Sequence, residues 1–200
     1  MINFISKTIL TAVVVICALS ACSTSPDPRL YIIEPMAAAG TLVDDGPTVI
    51  VGPVTLPAHL DHKGIVTHEQ RFRVSSAEFD RWAEPLDDNI TRALCENMSV
   101  LIPSNQVVAY PLRTAHAVDY SVQVRVVAFG SNPDGQVELN VAWMIHDAGD
   151  TLVKLAKSRY SVSRRGNDVV DLVEAMSATV ELLSRDIASA INSAPAQAIE

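Results

Sequence analysis

Apolar and polar residues alternate along three consecutive segments in the second half of the chain. Every second residue is apolar over 120–126 and again over 137–145, and a third strand-like segment covers 152–164. Such alternation is typical of strands that bury one face. Turn-forming clusters at 131–135 and 147–150 separate the segments. The pattern therefore predicts an antiparallel meander of three strands.

Two other segments repeat their apolar residues at the spacing of an amphipathic helix. The first has Pro85 at its start, where proline suits the first turn, and Asn167 or Asp168 would cap the second. The predicted apolar faces comprise Leu86, Ile90, Ala93, Leu94 and Met98 in the first helix, and Val169, Leu172, Val173, Met176, Val180, Leu183, Ile187 and Ile191 in the second.

The first half of the chain has shorter patterns. Strands are predicted at 30–34, 48–56, 65–74 and 106–110, with a turn or loop at 57–64 and a short helix from Ser75 or Ser76 to Trp82. Gly52-Pro53 interrupts the second strand, which indicates a bulge or an edge position. Together the elements predict the α/β class: a single three-layer domain with a mixed β-sheet flanked by helices.

The first residues of the chain have the pattern of a secretory signal peptide. Lys7 precedes an apolar run at 9–18, which is too short for a typical membrane span of about 20 residues. The run ends in Leu-Ser-Ala-Cys at 19–22, which resembles the lipobox of bacterial lipoproteins. That resemblance implies that residues 1–21 are cleaved off and that lipid, including palmitate, is attached to Cys22. An ordinary signal peptide with an incidental cysteine, or a short anchor helix, is the alternative.

These boundaries divide the remaining chain into three parts. Residues 22–29 form the lipidated cysteine and a short proline-containing tether, which reaches at most about 25 Å when straight. Residues 30–194 form the folded domain, and residues 195–200 a frayed tail. The tether is short enough to keep the domain close to the membrane.

Charge and cysteine content exclude some partners and some kinds of covalent link. The formal net charge is −8 and the sequence has no basic run, which argues against nucleic acid as a partner. Of the three cysteines, Cys17 leaves with the signal and Cys22 is the lipidation site. Cys95 then remains alone, so no internal disulfide can form. We expect it to be a buried free thiol.

The sequence contains no motif for catalysis or for a cofactor, so we expect neither an enzyme nor a cofactor-binding protein. His59 and His62 flank Asp61 in a loop, and a metal site there is the weaker alternative to exposed loop histidines. Asp87 and Asp88 fit the first turn of a helix, where negative charge is stabilised. Trp82 and Trp143 are expected in the core.

The middle of the chain resembles the ABC-type transport auxiliary lipoproteins, the PqiC-like family. The most specific motifs are Gly-Pro-Val-Thr-Leu-Pro at 52–57 and Arg-Trp-Ala-Glu-Pro at 81–85. The wider resemblance covers 51–61, 65–67, 77–90, 119–120 and 175–177. One departure lies at 61–64, Asp-His-Lys-Gly, where the family often has a second proline.

The resemblance implies an auxiliary or docking component of an intermembrane lipid transport system. Its partners would be a mammalian-cell-entry (MCE) domain protein that forms a tunnel and, through it, an inner-membrane permease and ABC ATPase. The lipoprotein would face the periplasm from the bacterial outer membrane, in some cases as a ring-shaped homo-oligomer. Ser23, rather than Asp, follows Cys22, which resembles the sorting rule for the outer membrane. A stand-alone periplasmic lipoprotein that binds lipid or another small ligand is the alternative.

The loop at 57–64 is the predicted docking surface. It carries family motif residues in a segment without a core pattern, so we expect Pro57, Leu60 and Asp61 to contact the partner.

Overall fold

The computed structural model describes residues 26–36, 46–70, 72–111, 117–132 and 134–194. The signal segment, Cys22 and the tail at 195–200 lie outside these ranges. The described residues form the strands β1 (Arg29–Tyr31), β2 (Val49–Thr55), β3 (Gly64–Gln70), β4 (Arg73–Trp82), β5 (Val107–Ala109), β6 (Tyr120–Ser131), β7 (Gln136–Asp147) and β8 (Leu152–Ser163), with helix α1 (Leu86–Leu101) between β4 and β5 and helix α2 (Val169–Asn192) after β8.

The larger sheet has five strands in the order β5-β2-β6-β7-β8. Strand β2 pairs in parallel with β5 and β6, whereas β6, β7 and β8 pair antiparallel. The α/β class, the mixed sheet and the antiparallel meander are thus confirmed. The β7–β8 turn is closed by Asp147, whose Oδ1 accepts hydrogen bonds from the backbone N–H groups of Gly149 and Thr151, both at 2.9 Å.

The smaller sheet has three strands in the order β1-β4-β3. Its central strand β4 covers the segment for which a short helix was predicted, and that prediction is wrong. The Ser-x-x-Glu pattern is a short-range signal, but here β4 pairs with β3 on one side and with β1 on the other. Strand pairing with distant residues over 73–76 and 80–82 therefore replaces the helix, so tertiary context overrides the local preference.

The two helices pack against each other and against the five-stranded sheet. Helix α1 contacts β2 and β5, while α2 contacts β6, β7 and β8. Every predicted apolar position of α1 is buried, as is the α2 stripe from Leu172 to Ile191. Asp168 caps α2 through a reciprocal capping box with Asp171. The helices and the sheet therefore enclose one continuous core.

Candidate functional site

A cleft of about 450 Å³ opens beside the three-stranded sheet, where β1, the loop before β3 and the end of β4 meet. We call it the β4 cleft and define it by Leu30, Asp61, Lys63, Arg81, Glu84 and Pro85. Leu30 and Pro85 supply exposed apolar surface, while the other four residues place charges of both signs around it. The site thus combines an apolar floor with a polar rim.

Backbone hydrogen bonds join the separate chain segments that form the cleft. The N–H of Trp82 donates to the carbonyl of Lys63 at 2.8 Å, which ties the end of β4 to the loop before β3. The N–H of Ala83 donates to the carbonyl of Tyr31 at 2.9 Å, which ties the following residues to β1. The cleft is therefore built on paired backbone rather than on side-chain contacts alone.

The three residues predicted to contact a partner occupy different environments. Asp61 is exposed on the rim of the cleft, and Pro57 is half-buried at the start of the loop. Leu60 differs from the expectation of a loop without core residues, because it is only 2% exposed and belongs to the hydrophobic core. Its N–H donates to the carbonyl of Pro57 at 2.9 Å. Leu60 therefore holds the loop in place, and of the three residues only Asp61 is exposed.

Close packing brings β3 against β4 at the edge of the cleft. A Cβ atom added to Gly64 would collide with the carbonyl oxygen of Ala77 and the Oγ of Ser76. Only glycine allows this approach. Trp82, as expected, is a core residue at 5% exposure, so it supports the cleft from below.

A buried carboxylate fixes β1 to β4 next to the cleft. Asp80 accepts hydrogen bonds from Arg29 at 2.9 Å and from the hydroxyl of Tyr31 at 2.8 Å. Burial alone would raise the pKa of Asp80, but the hydrogen bonds from Arg29 and Tyr31 outweigh it and lower the pKa below its ordinary value. Burial and the bond to Asp80 raise the pKa of Tyr31. Asp80 is therefore an anionic clamp for β1.

The residues after β1 are held by polar side chains of α1. Asn89 Oδ1 accepts from the N–H of Ile33 at 2.8 Å, and Asn97 Oδ1 accepts from the N–H of Met36 at 2.7 Å. Both asparagines are buried. Sequence reasoning missed this contact, although two asparagines placed eight positions apart on a predicted apolar helix face were a readable signal.

Arg92 joins the same segment to the cleft. Its guanidinium donates to the carbonyl of Ile33 at 2.9 Å and to the carboxylate of Glu84 at 3.0 Å. Glu84 lines the cleft, so the helix, the segment after β1 and the cleft rim form one hydrogen-bonded unit.

The remaining candidates carry no reactive arrangement. His59 and His62 are exposed, and the described part of the chain contains no group of three or more residues placed to hold a metal ion. Trp143 is a core residue. Cys95 is a half-buried free thiol, and burial, followed by the charge of Glu96, raises its pKa to about 12. Such a thiol is a poor nucleophile at neutral pH.

Within the described ranges, neither helix has the length and apolar character needed to cross a bilayer.

Comparison with solved structures shows the fold. A crystal structure of an uncharacterized protein superposes with a TM-score of 0.70 at 21% identity, covering 83% of this chain and 99% of that one. A crystal structure of a Xanthomonas campestris protein gives a TM-score of 0.61 at 12% identity, covering 80% of this chain and 92% of the other.

Comparison of sequences shows the family. The chain is 27% identical over 137 residues to the intermembrane transport lipoprotein PqiC of Escherichia coli K12, which covers 67% of this chain and 72% of that protein. The PqiC of Shigella flexneri matches with the same identity and coverage. The family model for the ABC-type transport auxiliary lipoprotein component matches residues 31–188, a range that contains the β4 cleft except for Leu30. The chain belongs to this family of transport auxiliary lipoproteins, which is not a family of enzymes.

Proposed function

We propose that the protein is an outer-membrane lipoprotein, anchored through Cys22, that docks an MCE-type tunnel protein of an intermembrane lipid transport system. The permease and ABC ATPase of the inner membrane would be reached through that tunnel. Membership of a transport auxiliary family and the name of the PqiC relatives support a role in transport between membranes. The lipobox-like segment supports the anchor.

One structural observation carries the docking role. The two most specific family motifs, at 52–57 and 81–85, are far apart in the sequence, but the second and the loop that follows the first form the two sides of the β4 cleft. Packing of the domain does not require these two motifs to meet at an open cleft, whereas a binding site does. Arg81 and Glu84 are only half-buried and Asp61 is exposed, so these charges are accessible.

The chemistry of the cleft defines the partner segment that it fits. The apolar floor suits one or two apolar side chains, and the rim suits a segment that carries charges of both signs. We expect the rim charges to select the partner and its orientation, since exposed charges contribute more to specificity than to affinity.

Charge reversal on the rim tests this proposal. In the lipidated protein, Asp61→Arg should reduce co-purification of an MCE-type partner by at least about tenfold, because it places a third positive charge beside Lys63 and Arg81. Glu96→Arg is the matched control, since Glu96 is an exposed acidic residue on α1 outside the cleft. Equal recovery of the partner with both variants would exclude the cleft as the docking surface.

The cleft volume also lies within the range of small-ligand sites, which favours a second candidate function. In that case the lipoprotein would bind a lipid or another small ligand without a tunnel partner. Native mass spectrometry of the mature protein, after exchange out of detergent, distinguishes the two. A bound small molecule that is lost in a Leu30→Glu variant would support ligand binding in the cleft.

A further inference from the structure

The β3–β4 hairpin ends in an exposed aromatic side chain. Phe72 lies in the turn between Gln70 and Arg73 and is 91% exposed. Val74, two residues further along β4, is 44% exposed. Single exposed apolar residues are common and need no explanation by themselves. The position of this one relative to the lipid anchor is what makes it informative.

The direction of β1 relates the hairpin tip to the anchor. Arg29 pairs with Asp80, and β1 runs parallel to β4. A tether that kept this direction before Arg29 would run along β4 towards Arg73, at the hairpin tip.

The tether and the hairpin have the same reach. The chain from Cys22 to Arg29 has as many residues as β4 from Arg73 to Asp80. At about 3.3 Å per residue each spans roughly 23 Å. A tether fully extended in this direction would bring Cys22 level with the hairpin tip, and a less extended tether would bring the domain still closer to the membrane.

We propose that Phe72, at the tip of the β3–β4 hairpin, inserts into the headgroup region of the same phospholipid bilayer that holds the acyl chains of Cys22. This inference rests on the lipidation of Cys22 in the proposed function. Aromatic side chains at this depth bury apolar surface and are enriched at membrane interfaces.

Apolar burial, rather than charge, drives this contact. Arg73 is exposed near Phe72. The β6–β7 turn, however, places Asp134 at the same end of the molecule, where it lines a cavity together with His68 of β3. Because charges of both signs face the membrane there, we expect the contact to depend little on the fraction of anionic lipid.

The contact also sets the orientation of the β4 cleft. Arg81 lies nine positions from Phe72 along the hairpin, a distance of roughly 30 Å in an extended strand. A hairpin standing on the membrane therefore presents the cleft away from the bilayer. A partner arriving from the periplasm would meet it there.

Fluorescence quenching by brominated lipids tests the contact. The lipidated Phe72→Trp protein is reconstituted into vesicles of phosphatidylethanolamine and phosphatidylglycerol, with or without bromine on the acyl chains. The matched control is Glu78→Trp, an exposed position on the same strand about 20 Å further from the tip. Emission of the wild type, whose Trp82 and Trp143 are 5% and 3% exposed, is subtracted.

We expect bromine to remove most of the emission that the Phe72→Trp substitution adds, and to leave the emission added by Glu78→Trp unchanged. Equal emission of the Phe72→Trp protein in both kinds of vesicle would overturn the proposal. The proposal would also be overturned if the indole at the hairpin tip were shielded from solvent only after partner proteins had been added to the vesicles. Equal quenching of the two variants would also overturn it, because the domain would then lie flat.

Flotation of the wild type with the vesicles checks the anchor separately. If the purified wild type carries no acyl groups and does not float, the proposed anchoring is refuted, and the hairpin contact with it. A chain that floats while the hairpin-tip indole stays unquenched would refute the hairpin contact alone.

Discussion

At the scale of single residues, the structure depends on a few polar side chains in apolar surroundings. Asp80 is the clearest case, since it is 8% exposed and yet ionised. Its two donors come from β1, which has only three residues and little apolar area with which to hold itself. A short strand joined by a carboxylate is therefore sensitive to the ionisation of that carboxylate.

Replacing Asp80 should loosen β1 in a pH-dependent way. Asp80→Asn should lower the free energy of unfolding by about 1 kcal/mol at neutral pH, mainly through the altered bond to Tyr31. Arg29 is largely exposed, so solvent screens its contribution. Because the folded state lowers the pKa of Asp80, the stabilisation is present above about pH 4, the ordinary range of an aspartate, and is lost as the pH falls through the folded pKa.

Urea unfolding of the two proteins at pH 7 and pH 3 measures this difference. The gap between wild type and variant should be smaller at pH 3. Asp134→Asn, at an exposed turn, is the control and should show no gap at either pH. A gap that does not change with pH would contradict the role assigned to Asp80.

Cys95 allows a second test at the same scale. In a chain expressed from Ser23 onward, Cys95 is the single thiol. We expect it to react with a disulfide reagent at pH 8 only after unfolding, since burial keeps the thiol protonated. The folded pKa of about 12 lies above the ordinary value of 9.0. The stability that this thiol contributes should therefore be present below pH 9 and decline as the pH rises towards 12.

Replacement by alanine provides the comparison. Cys95→Ala should remove this part of the alkaline destabilisation, as followed by thermal unfolding between pH 8 and pH 11. Rapid modification of the folded protein would show that the thiol is accessible.

At the scale of elements, the sequence predicts structure that depends on a pattern within one segment, but not structure that depends on contacts between distant segments. The stripes of α1 and α2 and the alternation of β7 follow from the sequence, because one side of each element faces one core. The predicted helix at β4 failed because its strand pairing with β1 and β3 depends on distant residues. The first strand ends at Tyr31 rather than Glu34, since the next residues bond to Asn89 and Asn97 of α1 instead of continuing the sheet.

The junction of β3 and β4 is the element contact that a single change should disrupt. Gly64→Ala places a Cβ against the backbone of Ala77, which cannot move without shifting β4. We expect a loss of about 1–3 kcal/mol in the free energy of unfolding, measured with urea. Partner recovery should also fall, because Lys63 leaves its place in the cleft.

Gly149→Ala is the control for this substitution. Its Cβ would meet Asp147 at 3.4 Å, an ordinary contact distance, so we expect little change. Similar stability of the two variants would show that the close approach at Gly64 is not required.

At the scale of the whole molecule, the sequence identifies the class, the domain and the family, but not the division into two sheets. The strands Val49–Thr55 and Arg73–Trp82 both have apolar and β-forming residues, and nothing in either pattern assigns them to different sheets. The β4 cleft is unpredictable for the same reason, because it exists only where Tyr31, Lys63 and Trp82 share backbone hydrogen bonds. The family motifs marked its residues without showing that they are neighbours.

The parallel pairing of β1 with β4 has a mechanical consequence for a protein held by its amino terminus. With the proposed anchor at Cys22, a pull would enter the sheet at Arg29 and act along the strand axis, while the β1–β4 hydrogen bonds run between the strands. The bonds are then loaded in shear and must be stretched together rather than one after another. Asp80 of β4 and the two α1 asparagines, Asn89 and Asn97, bond to β1 and the residues after it and would share that load. With the proposed anchor, β1 would resist a pull on the amino terminus better than a strand whose hydrogen bonds open one after another.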